Sequence, residues 1–120
     1  MATQVTDTAQ VLSHHLRALG GGQLDEVLDD YLEDSVLITP DGPIKGLSGI
    51  RAAFEGFLSG LFKPGTYEIT VDARHVDGEV AYITWHAKCA SADILFGTDT
   101  FIVKDGKIAV QTFAAKIEPR

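Results

Sequence analysis

The sequence predicts a single α+β domain over residues 1–120, with three helices placed before the strands of a mostly antiparallel sheet. Apolar residues recur every three or four positions as far as Leu61, which is the spacing of amphipathic helices. From Tyr67 onward the apolar period changes to two, which is the spacing of strands. Because the helices precede the strands instead of alternating with them, the pattern is typical of an α+β domain. A chain of 120 residues has room for one hydrophobic core.

Two helical patterns lie near the N-terminus. The first has its apolar stripe at Val5, Ala9, Leu12, Leu16 and Leu19. Three glycines, residues 20–22, end that helix. The second has its stripe at Leu24, Val27, Leu28, Tyr31 and Leu32.

A third helix follows a short strand and a turn. Val36 to Thr39 is predicted as a strand, and Pro40-Asp41-Gly42 is a turn sequence. The third apolar stripe consists of Ile50, Phe54, Phe57, Leu58 and Leu61. Ser48 is predicted to cap this helix, which should end before Pro64-Gly65.

Four strands are predicted from Tyr67 onward, and their pairing can be argued from the pattern. A three-residue loop ending at Gly78 would place Ala73 opposite Ala81 and Val71 opposite Ile83.

A three-residue loop at residues 104–106 would pair Phe101 with Ala109 and Asp99 with Gln111. A loop at residues 90–92 pairs Trp85 with Gly97, a large ring over a missing side chain.

These pairings place a mostly apolar set of side chains on one face of the sheet, with the helices, including Phe54, closing over it. Such a surface is how small-molecule pockets are usually built. The set comprises Tyr67, Ile69, Val71, Ile83, Trp85, Leu95, Asp99, Phe101, Gln111 and Phe113.

Asp99 is the first candidate for a chemical role, because it lies in mid-strand and its register directs it inward. A carboxyl group in an apolar pocket has a raised pKa and can act as a general acid. The alternative is a structural carboxylate, bonded to Thr112, Gln111 or a backbone amide, or lying on a dimer face.

His15 borders the apolar stripe of the first helix and could donate to a ligand carbonyl or transfer a proton. A structural histidine at a helix edge is the alternative. His14 is predicted to be turned away from the stripe and solvated.

Other side chains are weaker candidates. Four aromatic residues are interpreted first as core residues, although they could also line a pocket: Trp85, Phe54, Phe101 and Phe113. Gln111, Tyr31 and Thr39 add polar groups, with Thr39 at the end of the first strand. No metal site or cofactor is expected, because the histidines of the strands lack a third ligand.

Composition narrows the functional classes. The formal charge of −7 argues against binding to a phosphate backbone. No apolar run approaches the length needed to span a bilayer, and no signal peptide is evident. The single cysteine, Cys89, cannot form an internal disulfide, so a cytoplasmic location is expected.

Three segments resemble a known superfamily over essentially the whole chain. They are residues 22–35, the stretch from Pro43 to Phe54, and the stretch from Phe101 to Ile108, which contains Asp105-Gly106-Lys107-Ile108. The chain resembles the nuclear-transport-factor-2-like superfamily, which includes steroid delta-isomerases, scytalone dehydratase and SnoaL-like cyclases. The resemblance implies a cone-shaped half-barrel of cystatin-like topology, in which a strongly curved sheet is covered by three N-terminal helices.

The resemblance also bears on the site. In the steroid isomerase branch a Tyr on the first helix and two Asp residues do the chemistry. By spacing, the Tyr position is His15, the first-strand Asp position is Thr39, and the second Asp is Asp99. Thr39 cannot abstract a proton from carbon at neutral pH, so isomerisation by that route is not expected. In its place His15 would be the base and Asp99 the acid.

Three functions remain open. The first is a protein that binds a small apolar ligand bearing oxygen. The second is an isomerase, cyclase or dehydratase that uses acid–base chemistry. The third is a non-catalytic dimerisation module.

A homodimer is expected in each case, because the opposite face of the sheet is too apolar to remain wet and the helices already cover the first face. That dimer face would consist of Tyr82, Thr84, His86, Phe96, Thr98, Ile102, Val110 and Thr112.

Overall fold

The computed structural model describes the backbone of residues 4–120 and the side chains from residue 8 onward. The predicted contribution of the Val5 side chain lies outside the described residues. The helices are α1 (Gln4–Gly20), α2 (Leu24–Leu28) and α3 (Leu47–Ser59). The strands are β1 (Tyr31–Thr39), β2 (Gly42–Lys45), β3 (Glu68–Asp77), β4 (Val80–Lys88), β5 (Ala92–Lys104) and β6 (Lys107–Pro119).

Six strands form one curved, unclosed sheet in the order β2-β1-β6-β5-β4-β3. Only β1 and β6 run parallel, while the other neighbours are antiparallel. The predicted α+β class, with a mostly antiparallel sheet and three helices, is therefore confirmed. The hydrophobic core lies between the helices and the sheet face that carries Trp85 and Phe101. Among the described residues, no helix is long and apolar enough to cross a membrane.

The second helix is shorter than predicted, and its last two stripe residues belong to a strand. Tyr31 and Leu32 begin β1, where Tyr31 pairs with Ile108 of β6. The Ser35 hydroxyl stabilises this start, since it accepts from the Leu32 amide and donates to the Ile108 carbonyl. Sheet pairing therefore overrides a helical spacing that continued for only two more apolar residues.

The predicted cap of α3 is also wrong. The N-cap position is Gly46, whose φ is 90°, and no side chain caps the helix. The Gly46 carbonyl accepts the first helical hydrogen bond, from the Ile50 amide. Gly46 fits because its left-handed backbone conformation is unfavourable for other residues.

Two of the three predicted registers are wrong. The β3–β4 loop is Gly78-Glu79, so Ala73 lies opposite Thr84, and Val71 lies opposite Trp85 after a register shift.

The β5–β6 loop is Asp105-Gly106, with positive φ at both residues, as a two-residue type I′ turn requires. Phe101 therefore lies opposite Gln111, and Asp99 opposite Phe113. The predicted pairing is displaced from the observed one by two residues. Because this is an even number, the same side chains still share a face.

The remaining register is confirmed, since Trp85 lies opposite Gly97. Beyond the Trp85–Gly97 pair, a register shift falls between Ile94 and Phe96, and Leu95 therefore does not lie on the inner face. Leu95 is exposed and Ile94 is buried, so the prediction that Leu95 faces inward is wrong.

Candidate functional site

A cavity lies between the helices and the concave face of the sheet. The centre of a water-sized sphere can occupy a volume of about 60 Å³ inside it. One water needs roughly 10–15 Å³ on this measure, so the cavity has room for about four or five waters. The lining residues are His15, Leu16, Leu19, Leu37, Phe54, Phe57, Phe62, Ile69, Val71, Ile83, Trp85, Asp99, Phe101, Gln111 and Phe113.

Asp99 is a buried carboxylate held by two neutral donors. The Trp85 indole Nε1–H donates to Oδ1 at 2.8 Å, and the Gln111 amide Nε2–H donates to Oδ2 at 2.8 Å. The backbone places all three inward, because Asp99 alternates with Gly97 along β5 and Gly97 lies opposite Trp85. Of the bonding partners predicted for a structural carboxylate, Gln111 is present, and Trp85 adds a second donor that was not predicted.

Tyr31 extends this network behind the cavity. Its hydroxyl donates to the Gln111 side-chain oxygen, and this bond orients the amide so that its N–H groups face Asp99. Burial raises the pKa of Tyr31 well above its usual value, and the nearby carboxylates Asp99 and Asp30 add to the effect. Tyr31 is therefore a permanent neutral donor.

Burial raises the pKa of Asp99 from 3.8 to about 6, although the hydrogen bonds from Gln111 and Trp85 oppose the rise. This is the direction expected for a carboxyl group taken out of water. At pH 7 the carboxylate form is the major one, and a substantial protonated fraction appears near pH 6.

His15 lies on the opposite wall, on α1, and is almost completely buried. Its ring makes edge contacts with Phe101, Phe54 and Tyr31, at centroid distances of 5.3, 5.9 and 6.0 Å. Within the described part of the chain, its Nδ1 is the one buried side-chain nitrogen or oxygen atom without a hydrogen-bond partner. An unsatisfied buried polar atom costs about 1–3 kcal/mol, so this nitrogen requires an explanation.

Burial lowers the pKa of His15 from 6.5 to about 4, with a further contribution from His14. The ring is therefore neutral at pH 7 and can either donate or accept a hydrogen bond. With its pKa below that of Asp99, His15 is the weaker base of the two. The pKa values thus favour the reverse of the expected roles, with Asp99 as the base.

The fit between Trp85 and Gly97 determines where the indole lies. A Cβ on Gly97 would approach the Trp85 ring to 2.3 Å, a distance that real structures do not allow. The Trp85 ring also stacks with Phe113, at a centroid distance of 6.3 Å and an interplanar angle of 21°. Contacts with Gly97 and Phe113 thus hold the indole with its N–H directed at Asp99.

The structure brings most of the predicted site residues together. Besides Asp99 and His15, five of them line the cavity: Phe54, Trp85, Phe101, Gln111 and Phe113. Tyr31 does not line the cavity, but it contacts lining residues: its hydroxyl bonds to Gln111, and its ring lies against His15.

Thr39 lies apart from the cavity and belongs to a turn. Its hydroxyl donates to the Gly42 carbonyl and accepts from the Asp41 amide, both at 3.1 Å. It is not among the cavity-lining residues.

Eight lining residues were not among the predicted site residues: Leu16, Leu19, Leu37, Phe57, Phe62, Ile69, Val71 and Ile83. Six of them were predicted on a helical stripe or on the inner face of the sheet, whereas Leu37 and Phe62 were not. Leu37 is buried between half-buried Val36 and exposed Ile38, but all three residues are apolar, so their sequence does not show which one faces inward. Phe62 lies beyond the end of α3, but it is eight residues after Phe54 and continues the apolar spacing of that helix, which was the available sequence signal.

His14 differs from the prediction that it is solvated. Its Nδ1 lies 2.7 and 2.9 Å from the two carboxylate oxygens of Asp30, and Glu26 lies 3.6 Å from its Nε2. The pKa of Asp30 is raised by burial, against the opposing effect of the His14 hydrogen bond. This pair joins α1 to the start of β1 outside the cavity.

Among the described residues, no group of three or more His, Cys, Asp or Glu side chains could hold a metal ion. The polar side chains that line the cavity include one carboxyl group, one neutral imidazole and one amide. All three are set in an aromatic and aliphatic wall.

Comparison with known proteins agrees with this architecture. A structure from Kribbella flavida, provisionally described as a ketosteroid isomerase, has a TM-score of 0.78 at 18% identity, covering 94% of this chain and 80% of that one. An LEH-like epoxide hydrolase of M. tuberculosis has a TM-score of 0.73 at 16% identity, covering 93% and 84%. An NTF2-like protein of unknown function from Burkholderia xenovorans has a TM-score of 0.78 at 14% identity, covering 96% and 87%.

At these identities the structural neighbours show the fold alone. No curated protein matches the sequence significantly. The model of the SnoaL-like domain family, however, matches residues 12–111, which is most of the chain. The chain therefore belongs to the SnoaL-like domain family of the nuclear-transport-factor-2-like superfamily.

Proposed function

We propose that this protein binds a small, mostly apolar molecule with a single oxygen function in the cavity between the helices and the sheet. The observation that carries the proposal is the buried His15 Nδ1, which has no partner in the described part of the chain. A ligand carbonyl or hydroxyl would satisfy it.

The charges of the site favour a neutral ligand oxygen over a carboxylate. Among the described residues that line the cavity, Asp99 is the one charged group, and His15 is neutral because its pKa lies near 4. A ligand anion would meet the Asp99 carboxylate without a compensating cation. A ketone or alcohol needs only the neutral imidazole, which carries its proton on either nitrogen.

Binding is favoured over catalysis because the polar groups are already occupied. Both Asp99 oxygens accept hydrogen bonds within the protein, and the basicity of His15 is low. An acid–base enzyme is the second candidate, favoured by the pKa of Asp99 near 6. In that case Asp99 would remove the proton and His15 would donate to the developing oxyanion.

The binding proposal can be tested with cyclopentanone, using the Trp85 indole N–H resonance as a reporter, since Trp85 is the only tryptophan. Saturable shifts that cyclopentane does not reproduce are expected for the wild-type protein. His15→Phe retains an aromatic ring but removes the nitrogens, so it should weaken ketone binding about tenfold, the value of one hydrogen bond.

His75→Phe is the matched control, because His75 is exposed on β3 and does not line the cavity. It should leave the affinity unchanged. Equal affinity of wild type and His15→Phe for cyclopentanone would contradict the role of Nδ1, and the absence of any saturable shift would contradict the binding function.

We also propose that the chain forms a homodimer through the outer face of the sheet. Phe96 and Tyr82 support this, because 51% and 38% of these large side chains are exposed on neighbouring strands. Sedimentation velocity at micromolar concentration should give a dimer for the wild type and a monomer for Phe96→Asp. A wild-type monomer would exclude this assembly.

We propose, in addition, that the protein is cytoplasmic. Its support is the lone cysteine, Cys89, which is buried and free. A protein without disulfides suits a reducing compartment.

A further inference from the structure

An apolar groove lies on the outside of the cavity, between the end of α1 and the beginning of β3. On the measure used for the cavity, its volume is about 280 Å³, against about 60 Å³ inside. The groove is lined by Leu16, Leu19, Gly20, Gly65, Tyr67, Ile69 and Val71. None of these side chains is charged.

The groove and the cavity share one wall. Leu16 and Leu19 of α1, together with Ile69 and Val71 of β3, line both spaces. Because the same side chains line both spaces, this wall is one side chain thick. Val71 within it is 39% exposed. A molecule that displaced these apolar side chains slightly would occupy both spaces at once.

The hydrogen bonds that α1 makes with β3 and with Tyr67, the residue before β3, lie on either side of this wall. At one end Arg74 donates to the Ser13 hydroxyl at 2.7 Å and to the Ala9 carbonyl at 3.3 Å. At the other end the Tyr67 hydroxyl lies 3.4 Å from the Leu19 carbonyl. Between them the facing residues are aliphatic, so the seam can open there without loss of a hydrogen bond.

We propose that the ligand is an elongated, neutral molecule: an unbranched hydrocarbon chain with one carbonyl or hydroxyl near its end. The oxygen would lie against His15 in the cavity, and the chain would pass between the leucines of α1 and the strand into the groove. This inference rests on the proposed function. A cavity with room for about four or five waters holds only the head of such a molecule, and the groove supplies apolar surface for the rest.

Gly20 offers a way to close the groove without altering the cavity. It lines the groove, its φ is not in the left-handed region, and an added Cβ would meet no atom within 4 Å. Gly20→Leu should therefore fill the groove while the fold is retained. Gly56 of α3 is the matched control, because a Cβ there is equally unobstructed and the residue lines neither space.

The test measures the binding of 2-butanone, 2-heptanone and 2-nonanone through the Trp85 indole N–H resonance. Each methylene buried is worth about 0.8 kcal/mol, so the affinity should rise roughly fourfold per carbon and continue to rise as far as 2-nonanone. Gly20→Leu should leave 2-butanone binding unchanged and weaken 2-nonanone binding at least tenfold. Gly56→Leu should change neither.

The outcomes separate this inference from the function on which it rests. If 2-butanone binds but the longer ketones bind no more tightly, the elongated ligand is excluded and the cavity remains a binding site. If Gly20→Leu weakens 2-butanone and 2-nonanone equally, the groove does not hold the chain and the inference fails. If none of the ketones binds, both proposals fail.

Discussion

Replacing Gly97 with alanine is the most direct test of the site geometry. The new Cβ would lie 2.3, 2.4 and 2.7 Å from three atoms of the Trp85 ring, so the ring would have to move. It cannot simply slide, because Phe113 stacks on it and Phe62 lies against it, at a centroid distance of 6.0 Å. The displaced indole would lose its hydrogen bond to Asp99.

The magnitude follows from two contributions. Overpacking of a close-packed core costs typically about 1–3 kcal/mol. Loss of a hydrogen bond to a charged group costs about 1.5–3 kcal/mol. Gly97→Ala should therefore lower the free energy of unfolding by about 2.5–6 kcal/mol, a large part of the roughly 5–15 kcal/mol typical of a domain.

Urea denaturation followed by tryptophan fluorescence measures this loss. Gly56→Ala is the control, because an added Cβ there meets no atom within 4 Å and alanine favours a helix interior. That variant should gain about 0.5–1 kcal/mol. A Gly97→Ala protein within 0.5 kcal/mol of wild type, with an unchanged Trp85 indole resonance, would refute the packing argument.

Two further predictions concern the Asp99 network. Because burial raises the pKa of Asp99 from 3.8 to about 6, its stabilising contribution is fully present below pH 3.8 and is lost as the pH rises through 6. Relative to Asp99→Asn, the wild type should gain up to about 3 kcal/mol of unfolding free energy between pH 7.5 and the acid limit. Urea titrations of both proteins at several pH values measure this difference, and a difference that stays flat with pH would contradict the assigned pKa. Tyr31→Phe should cost about 1–3 kcal/mol, because it leaves the buried Gln111 oxygen without its donor. Thermal denaturation checks this value, and a cost below 0.5 kcal/mol would show that Gln111 is oriented by another group.

The elements of the fold could be predicted from sequence where local and tertiary preferences agree. The stripes of α1 and α3 are long enough for the 3.6-residue period to be unambiguous. The stripe that ran through Tyr31 was too short, and a partner 77 residues away, Ile108, decided its structure. Registers failed for a related reason, since a loop of two or three residues and a bulge elsewhere in the hairpin both shift the pairing.

The residues of the candidate site could be predicted where an error in strand register left the same side chains on the inner face. Asp99, Phe101, Gln111 and Phe113 share a face in the predicted and the observed pairing, because the two differ by two residues. Leu95 was misplaced because a register shift falls next to it. Thr39 was proposed from its place at the end of the first strand and from the resemblance, neither of which contains information on its bonds to the following turn.

By itself, the sequence determined the α+β class, the inward face of the sheet and the two polar candidates His15 and Asp99, because these follow from periodicity and alternation. Only the tertiary structure decided their chemistry. The protonation of Asp99 depends on its burial and on donors from two other strands, and that of His15 depends on its enclosure by aromatic rings. Desolvation is a property of the assembled core, which no local pattern of residues specifies.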